Sequence, residues 1–296
     1  MYSPNALTGR VTDMSASAHE TKLTKNMRIF LSFVLFVLVA VFSISLCAKT
    51  GFANKSTVKE KFVCYEYASG IKDDVKEYAV DLYTANGIPC DNLDSIFTYE
   101  KVYKAVSAYY GYNIADEMEY SQQSYEKIIN EICSEISADI EAQLKNTDMQ
   151  YNSQSAKLLE NEVNEYFKSA VELPYIDNIK TALNVSSVAL YAAIGVSGFF
   201  MLAVALITFF VGTKRFRSVR AIGISFWSAG IFELAMALVV YVISCIKRVD
   251  LFPVYLSKQF YSFVYMGISN VVFCAGALLL IAVIISAIVW KMRKNS

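Results

Sequence analysis

IFLSFVLFVLVAVFSISLCA, residues 29–48, decides the fold: it is 20 residues long and carries no charge. As a helix rising about 1.5 Å per residue, such a block matches a bilayer's hydrocarbon core of about 30 Å. Lipid offers no partner to backbone N–H and C=O groups, so a block of this kind satisfies them within itself, as a helix. Working outward, residues 185–211, 221–246 and 264–290 repeat the pattern, the second of these interrupted only by Glu233. The expectation is an all-α integral membrane protein: four transmembrane helices, with a helical extracytoplasmic domain between the first and second. Composition agrees, since 55% of the 296 residues are hydrophobic, 18% are charged and the mean hydropathy is +0.37. That balance argues against a freely soluble or broadly disordered chain.

Lys and Arg total 27, as do Asp and Glu, but they are segregated. Arg10, Lys22, Lys25 and Arg28 precede the first block, Lys214, Arg215, Arg217 and Arg220 join the second to the third, and Lys291, Arg293 and Lys294 follow the fourth. Basic flanks stay cytoplasmic, so these 11 residues place both termini inside. Lys247, Arg248 and Lys258 oppose this, but they are outnumbered. The expected order is a cytoplasmic tail (1–28), span (29–48), extracytoplasmic domain (49–184), span (185–211), basic cytoplasmic loop (212–220), span (221–246), external aromatic loop (247–263), span (264–290) and cytoplasmic tail (291–296). The alternative for the first block is a cleaved signal peptide. An anchor fits better, because the block exceeds the usual h-region of about 7–15 residues.

Residues 49–184 hold 13 Lys, no Arg and 23 Asp or Glu, leaving this segment strongly acidic. Either the charge solvates its surface, or it attracts cations or a basic polymer. Tyr125, Ile128, Ile129, Ile132, Ile136, Ile140 and Leu144 recur at helical spacing, with Glu126, Glu131, Glu135, Asp139 and Glu141 assigned to the other face. Leu159, Val163, Tyr166, Phe167 and Ala170 repeat the pattern. An earlier helix covers Val58 to Leu82 and ends near Asn86-Gly87 and Pro89, and another is expected from Leu93 to Tyr110. After Pro174 a helix should run unbroken into the second span. Seven tyrosines from Tyr99 to Tyr125 serve either as core or as an aromatic binding surface.

Chemistry is hard to place in this chain. Its single histidine, His19, lies in the polar tail, which removes a Ser/His/Asp triad and multi-histidine metal sites. Walker A, H-E-x-x-H, G-x-S-x-G and kinase patterns are absent. The two S-x-x-K matches, at Ser56 and Ser69, lack the partner motifs of penicillin-binding enzymes. A calcium loop starting at Asp148 fails at Ser153 and Leu159, where Gly and Glu belong. No cofactor, metal or nucleic-acid partner is expected. Six cysteines contain no C-x-x-C; Cys64 with Cys90 is one possible disulfide, and six buried free thiols are the alternative.

Glu233 is the sharpest single residue. A carboxylate near mid-bilayer costs several kcal/mol unless it is paired or neutralised. It marks either a proton- or substrate-linked site or a hydrogen-bonded contact to a partner subunit, or else a protonated acid bonding a serine across the bundle, for which Ser197 is a candidate.

The order of tail, span, large external domain, two spans with a basic loop between, and a last span resembles the FtsX-type permeases. RSVRAIGISFWSAGIFE, residues 217–233, is similar to that family's basic, apolar, small-residue run leading to a membrane glutamate. Glu233 follows Gly223 more closely than the family spacing, and the N-terminal tail shows no clear amphipathic helix. The resemblance implies that Lys214, Arg215, Arg217 and Arg220 dock an ATPase, and that the external domain transmits its state to a cell-wall enzyme. The residues themselves point to a non-enzymatic, multi-pass sensor, scaffold or binding protein of the cell membrane. A transport-related subunit, either an ATPase-coupled permease or a small carrier using Glu233, is the alternative. The bilayer is one partner, and a protein at the basic loop or external domain is another. Heavy use of Lys, Asn and Tyr fits a low-GC bacterium.

Overall fold

The computed structural model describes residues 5–115, 120–146, 153–174, 176–211, 215–246 and 254–294, with 5–24 as backbone only. The described secondary structure is all helical, without a strand. In chain order the helices are α1 (Asn5–Thr50), α2 (Lys55–Phe62), α3 (Tyr65–Ala85), α4 (Leu93–Ile96), α5 (Tyr99–Tyr110), α6 (Gln122–Asn146), α7 (Ser153–Val171), α8 (Ile176–Val211), α9 (Arg215–Ile246) and α10 (Val254–Lys294). One π-helical turn, Gly111–Ala115, extends α5. Four helices contain stretches long and apolar enough to cross a membrane: α1 over Lys25–Thr50, α8, α9 and α10. The chain divides into two compact units. One comprises residues 1–49, 188–246 and 266–296, the other 50–187 and 247–265.

The second of these, the mixed-sequence unit, is built around rings. α2 begins where the Asn54 side chain accepts the Ser56 N–H at 3.1 Å. The single helix expected over Val58 to Leu82 is broken at Val63 and Cys64, the latter extended, so α2 and α3 are separate helices, a division the apolar spacing does not announce. α3 stops at Asn86, whose side-chain amide donates to the Leu82 carbonyl, and Gly87 follows at φ 70°, a left-handed value that glycine adopts freely. The helix expected from Leu93 to Tyr110 is likewise two, α4 and α5, with Thr98 capping the second. α6 buries Tyr125, Ile129, Ile132, Ile136 and Ile140, and α7 packs Leu159, Val163 and Phe167 on the same core. Tyr67, Tyr83, Tyr110, Phe97 and Phe167 are completely enclosed. Each such side chain is worth about 1.5–3 kcal/mol by burial. The Phe62 ring stacks on Tyr110 at 4.7 Å, and the Tyr67 and Tyr110 hydroxyls meet at 2.9 Å.

The segment expected as an external aromatic loop is helical from Val254 onward; residues 247–253 lie outside the described ones. Two of its aromatics, Tyr255 and Phe263, pack on the core of this unit, while Phe260 and Tyr265 stay exposed. Tyr255 covers Gly70 so closely that a Cβ there would come within 2.5 Å of it, and Phe263 lies 5.4 Å from Phe62. The Gln259 side chain is buried, donating to the Lys61 carbonyl.

The other unit, the apolar-helix unit, packs small residues inward. Leu35, Val39, Ala40, Ala229 and Leu278 form its cluster, with Ala237, Ala275 and Ala282 buried as well. A Cβ on Gly230 would lie 2.8 Å from Leu279 and 3.2 Å from the Ala275 carbonyl, so α9 and α10 approach through that glycine. Large side chains face outward: Phe199, Phe210 and Phe273 are 68%, 79% and 78% exposed.

Candidate functional site

Within the apolar-helix unit, polar groups meet at two levels. At the first, the Ser32 hydroxyl on α1 donates to the Ala221 carbonyl of α9 at 3.0 Å and lies 2.9 Å from Ser225 Oγ. The second centres on Glu233, fully enclosed on α9, where Ser43 of α1 donates to Oε2 at 3.0 Å. Oε1 has no hydrogen-bond partner among the described residues. Ser197, the serine expected to hold Glu233, instead donates back to the Ala193 carbonyl of its own helix. Rotation of α8 decides this, and an evenly apolar segment carries no signal for rotation. Cys47, one turn beyond Ser43, donates to the Asn270 carbonyl of α10 at 3.5 Å. The carboxyl therefore sits where α1 and α9 meet, with one oxygen held and the other buried without a hydrogen-bond partner among the described residues.

The basic run lies on the opening turns of α9: Arg215, Arg217 and Arg220 are helical and exposed, while Lys214 is outside the described residues. No disulfide joins Cys64 and Cys90. The first thiol is directed at Gln259 (3.7 Å), the second at the carbonyls of Ile88 and Val80.

The mixed-sequence unit holds two features that sequence reading missed. Asp139 belongs to the interior and not to the charged face of α6. Tyr83 donates to its Oδ2 at 3.3 Å and Asn92 to its Oδ1 at 2.9 Å, so two donors remote in sequence make burial tolerable. Burial beside Asp139 raises the Tyr83 phenol well above its usual range. The other feature is a groove of about 490 Å³ along α3, lined by Glu66, Asp73, Asp74, Glu77 and Asp81, with Lys258 at its edge. Tyr78 and Tyr166 stack at 3.8 Å beside it, and the Tyr166 hydroxyl donates to Asp74 at 3.0 Å. Burial, aided by that bond, pushes the Tyr166 phenol up to about 12. The spacing of these acids on α3 was the available signal. Within the domain's tyrosine-rich stretch, Tyr109, Tyr110 and Tyr125 are core, Tyr109 donating to the Leu173 carbonyl and Tyr125 to Glu172 at 2.8 Å. Tyr99 is only half-buried, and it continues a tilted ring ladder from Tyr65 to Tyr103.

No protein-family model matches the chain, and neither a curated protein nor a solved structure resembles it significantly. The likeness to FtsX-type permeases rests on residues 217–233 and the order of segments alone.

Proposed function

We propose that the protein is a multi-pass membrane protein without catalysis of its own, in which an acidic helical unit outside the membrane binds a partner and the apolar helices anchor and relay that state. The observation that carries this reading is the continuity of α8: it runs unbroken from Ile176 to Val211 through the division between the units at residues 187 and 188. From Leu183 to Leu190, across that division, the helix holds neither Gly nor Pro; Gly195 and Gly198 come later, within the apolar stretch. In this reading the bundle crosses the bilayer four times with both termini cytoplasmic, following the basic flanks. The field of the acidic unit favours a cationic partner.

A transport-related role is the second reading, and the buried, unpartnered oxygen of Glu233 favours it. Crosslinking the tagged protein in its native membrane, followed by mass spectrometry of what co-purifies, separates the two. A stoichiometric ATPase that is lost on neutralising Arg215, Arg217 and Arg220 would establish a permease and sink the stand-alone binder. Replacing Glu233 by Gln should abolish activity in a proton-linked carrier and leave a binder intact.

A further inference from the structure

A cleft of about 1190 Å³ lies between α1, α9 and α10 within the apolar-helix unit. It exceeds the roughly 300–1,000 Å³ of ordinary small-molecule sites. Its lining changes chemistry along its length. At the mouth stand Lys25 and Arg28 of α1, Arg217 and Arg220 of α9, and Arg293 of α10. No carboxylate lines the cleft, and none of these five cations is in an ion pair among the described residues. Further in, Phe33 and Phe36, Ile224, Val289 and Trp290 form an apolar wall that ends at the hydroxyls of Ser228 and Ser286. At about 1.5 Å per residue, Phe36 lies roughly 12 Å along α1 from Arg28, and Ser228 an equal distance along α9 from Arg220.

We infer that this cleft binds an anionic phospholipid, the phosphate held by the arginines at the mouth and an acyl chain lying on the wall of Phe33, Phe36 and Val289. Guanidinium groups suit phosphate through paired N–H donors, and basic pockets between membrane helices are suited to lipid headgroups. A free phosphate would use the mouth and leave the wall unoccupied, so the two-part lining selects the lipid. Arg215 is not part of the lining, which separates this site from a protein dock on the outer face of the same run.

The test uses the full chain in an uncharged detergent, offered phosphatidylglycerol or phosphatidylcholine in mixed micelles, with native mass spectrometry counting retained lipid. Wild type should retain the anionic lipid at least about tenfold better, and excess inorganic phosphate should not displace it. R28Q/R217Q/R220Q should lower retention on the order of a hundredfold, at about fivefold per cation. R215Q/K291Q/K294Q removes the same charge outside the cleft and should change retention less than about threefold, being attraction without a site. Equal losses in the two triple variants, equal retention of both lipids, or displacement by inorganic phosphate would each overturn the proposal. Should the cleft triple fail to fold, R293Q in the exposed last turn of α10 decides it: about fivefold weaker retention is expected, and unchanged retention overturns the proposal.

Discussion

The two units of this chain are packed inside out relative to one another. In residues 50–187 with 254–265 the largest rings are enclosed and, Asp139 apart, the charges of the described residues lie outside the core; Tyr67, Phe97 and Phe167 are core, while Asp73 and Asp94 face solvent. In the apolar-helix unit the enclosed residues are Ala229, Gly230, Ser225 and Glu233, and the rings of Phe199, Phe210 and Phe273 face outward. Water makes the first arrangement favourable, because burying rings removes apolar surface from it. Against lipid, burying rings gains little, and close backbone approach through small residues together with shared hydrogen bonds takes over. The same 20 amino acids therefore follow two sorting patterns, and under the proposed membrane reading the difference between them is that between water and lipid.

High pH should separate the units most strongly. Burial raises the phenols of Tyr83, Tyr109, Tyr110 and Tyr125 above their usual value, and pushes Tyr67 up to about 12. Unfolded tyrosine ionises near pH 10. The neutral folded form is therefore fully favoured below pH 10, and its contribution is lost as pH climbs from there through the raised values. Tyrosinate absorbance should rise first for exposed rings, then in one cooperative step together with loss of helical circular dichroism from this unit. A smooth titration of all rings near pH 10 would show that the core is not closed.

Phe167→Ala should come next, costing about 3–5 kcal/mol as a large-to-small change in a packed interior, measured by denaturant unfolding of the full chain. Truncating the outward-facing Phe210 should cost far less in the same assay. Gly230→Leu inverts the test, since added bulk must displace Leu279 and meets the Ala275 carbonyl. A loss of about 1–3 kcal/mol is expected, seen as lowered thermal stability in detergent. The smallest effect belongs to Ser43→Ala, which removes the donor to Glu233; hydrogen bonds between membrane helices average about 0.6 kcal/mol. If combining it with Glu233→Gln adds the two losses in full, the Ser43–Glu233 contact is not energetically coupled.

What could be read from the chain follows the same division. The four apolar blocks were plain because length and lack of charge are one-dimensional properties, and α6 was plain because Ile129, Ile132, Ile136 and Ile140 keep helical phase. The break at Cys64 was hidden: that residue caps α3 without a side-chain bond, and neither Gly nor Pro marks it. Asp139 was assigned to the wrong face because its donors, Tyr83 and Asn92, come from another part of the chain. The stretch after Val254 read as an aromatic loop because composition does not record that Tyr255 and Phe263 find partners in residues 62–70. Glu233 was legible as an anomaly, but its partner Ser43 was not, since a uniformly apolar helix does not record which way it is turned.

Tyr255 on Gly70 bears on the order of biogenesis. The slot over α3 is closed by a residue that emerges from the ribosome long after the rest of its unit, because residues 188–253 must be made first. At about 5–20 residues per second that interval is roughly 3–13 s. During it the nascent unit carries an uncapped apolar slot between Gly70 and Tyr67, and only the arrival of the final helix seals it. A fragment ending at residue 187 would keep that slot open permanently, so expressing the soluble-looking part by itself should give a sticky product, and a tethered copy of residues 254–265 should cure it.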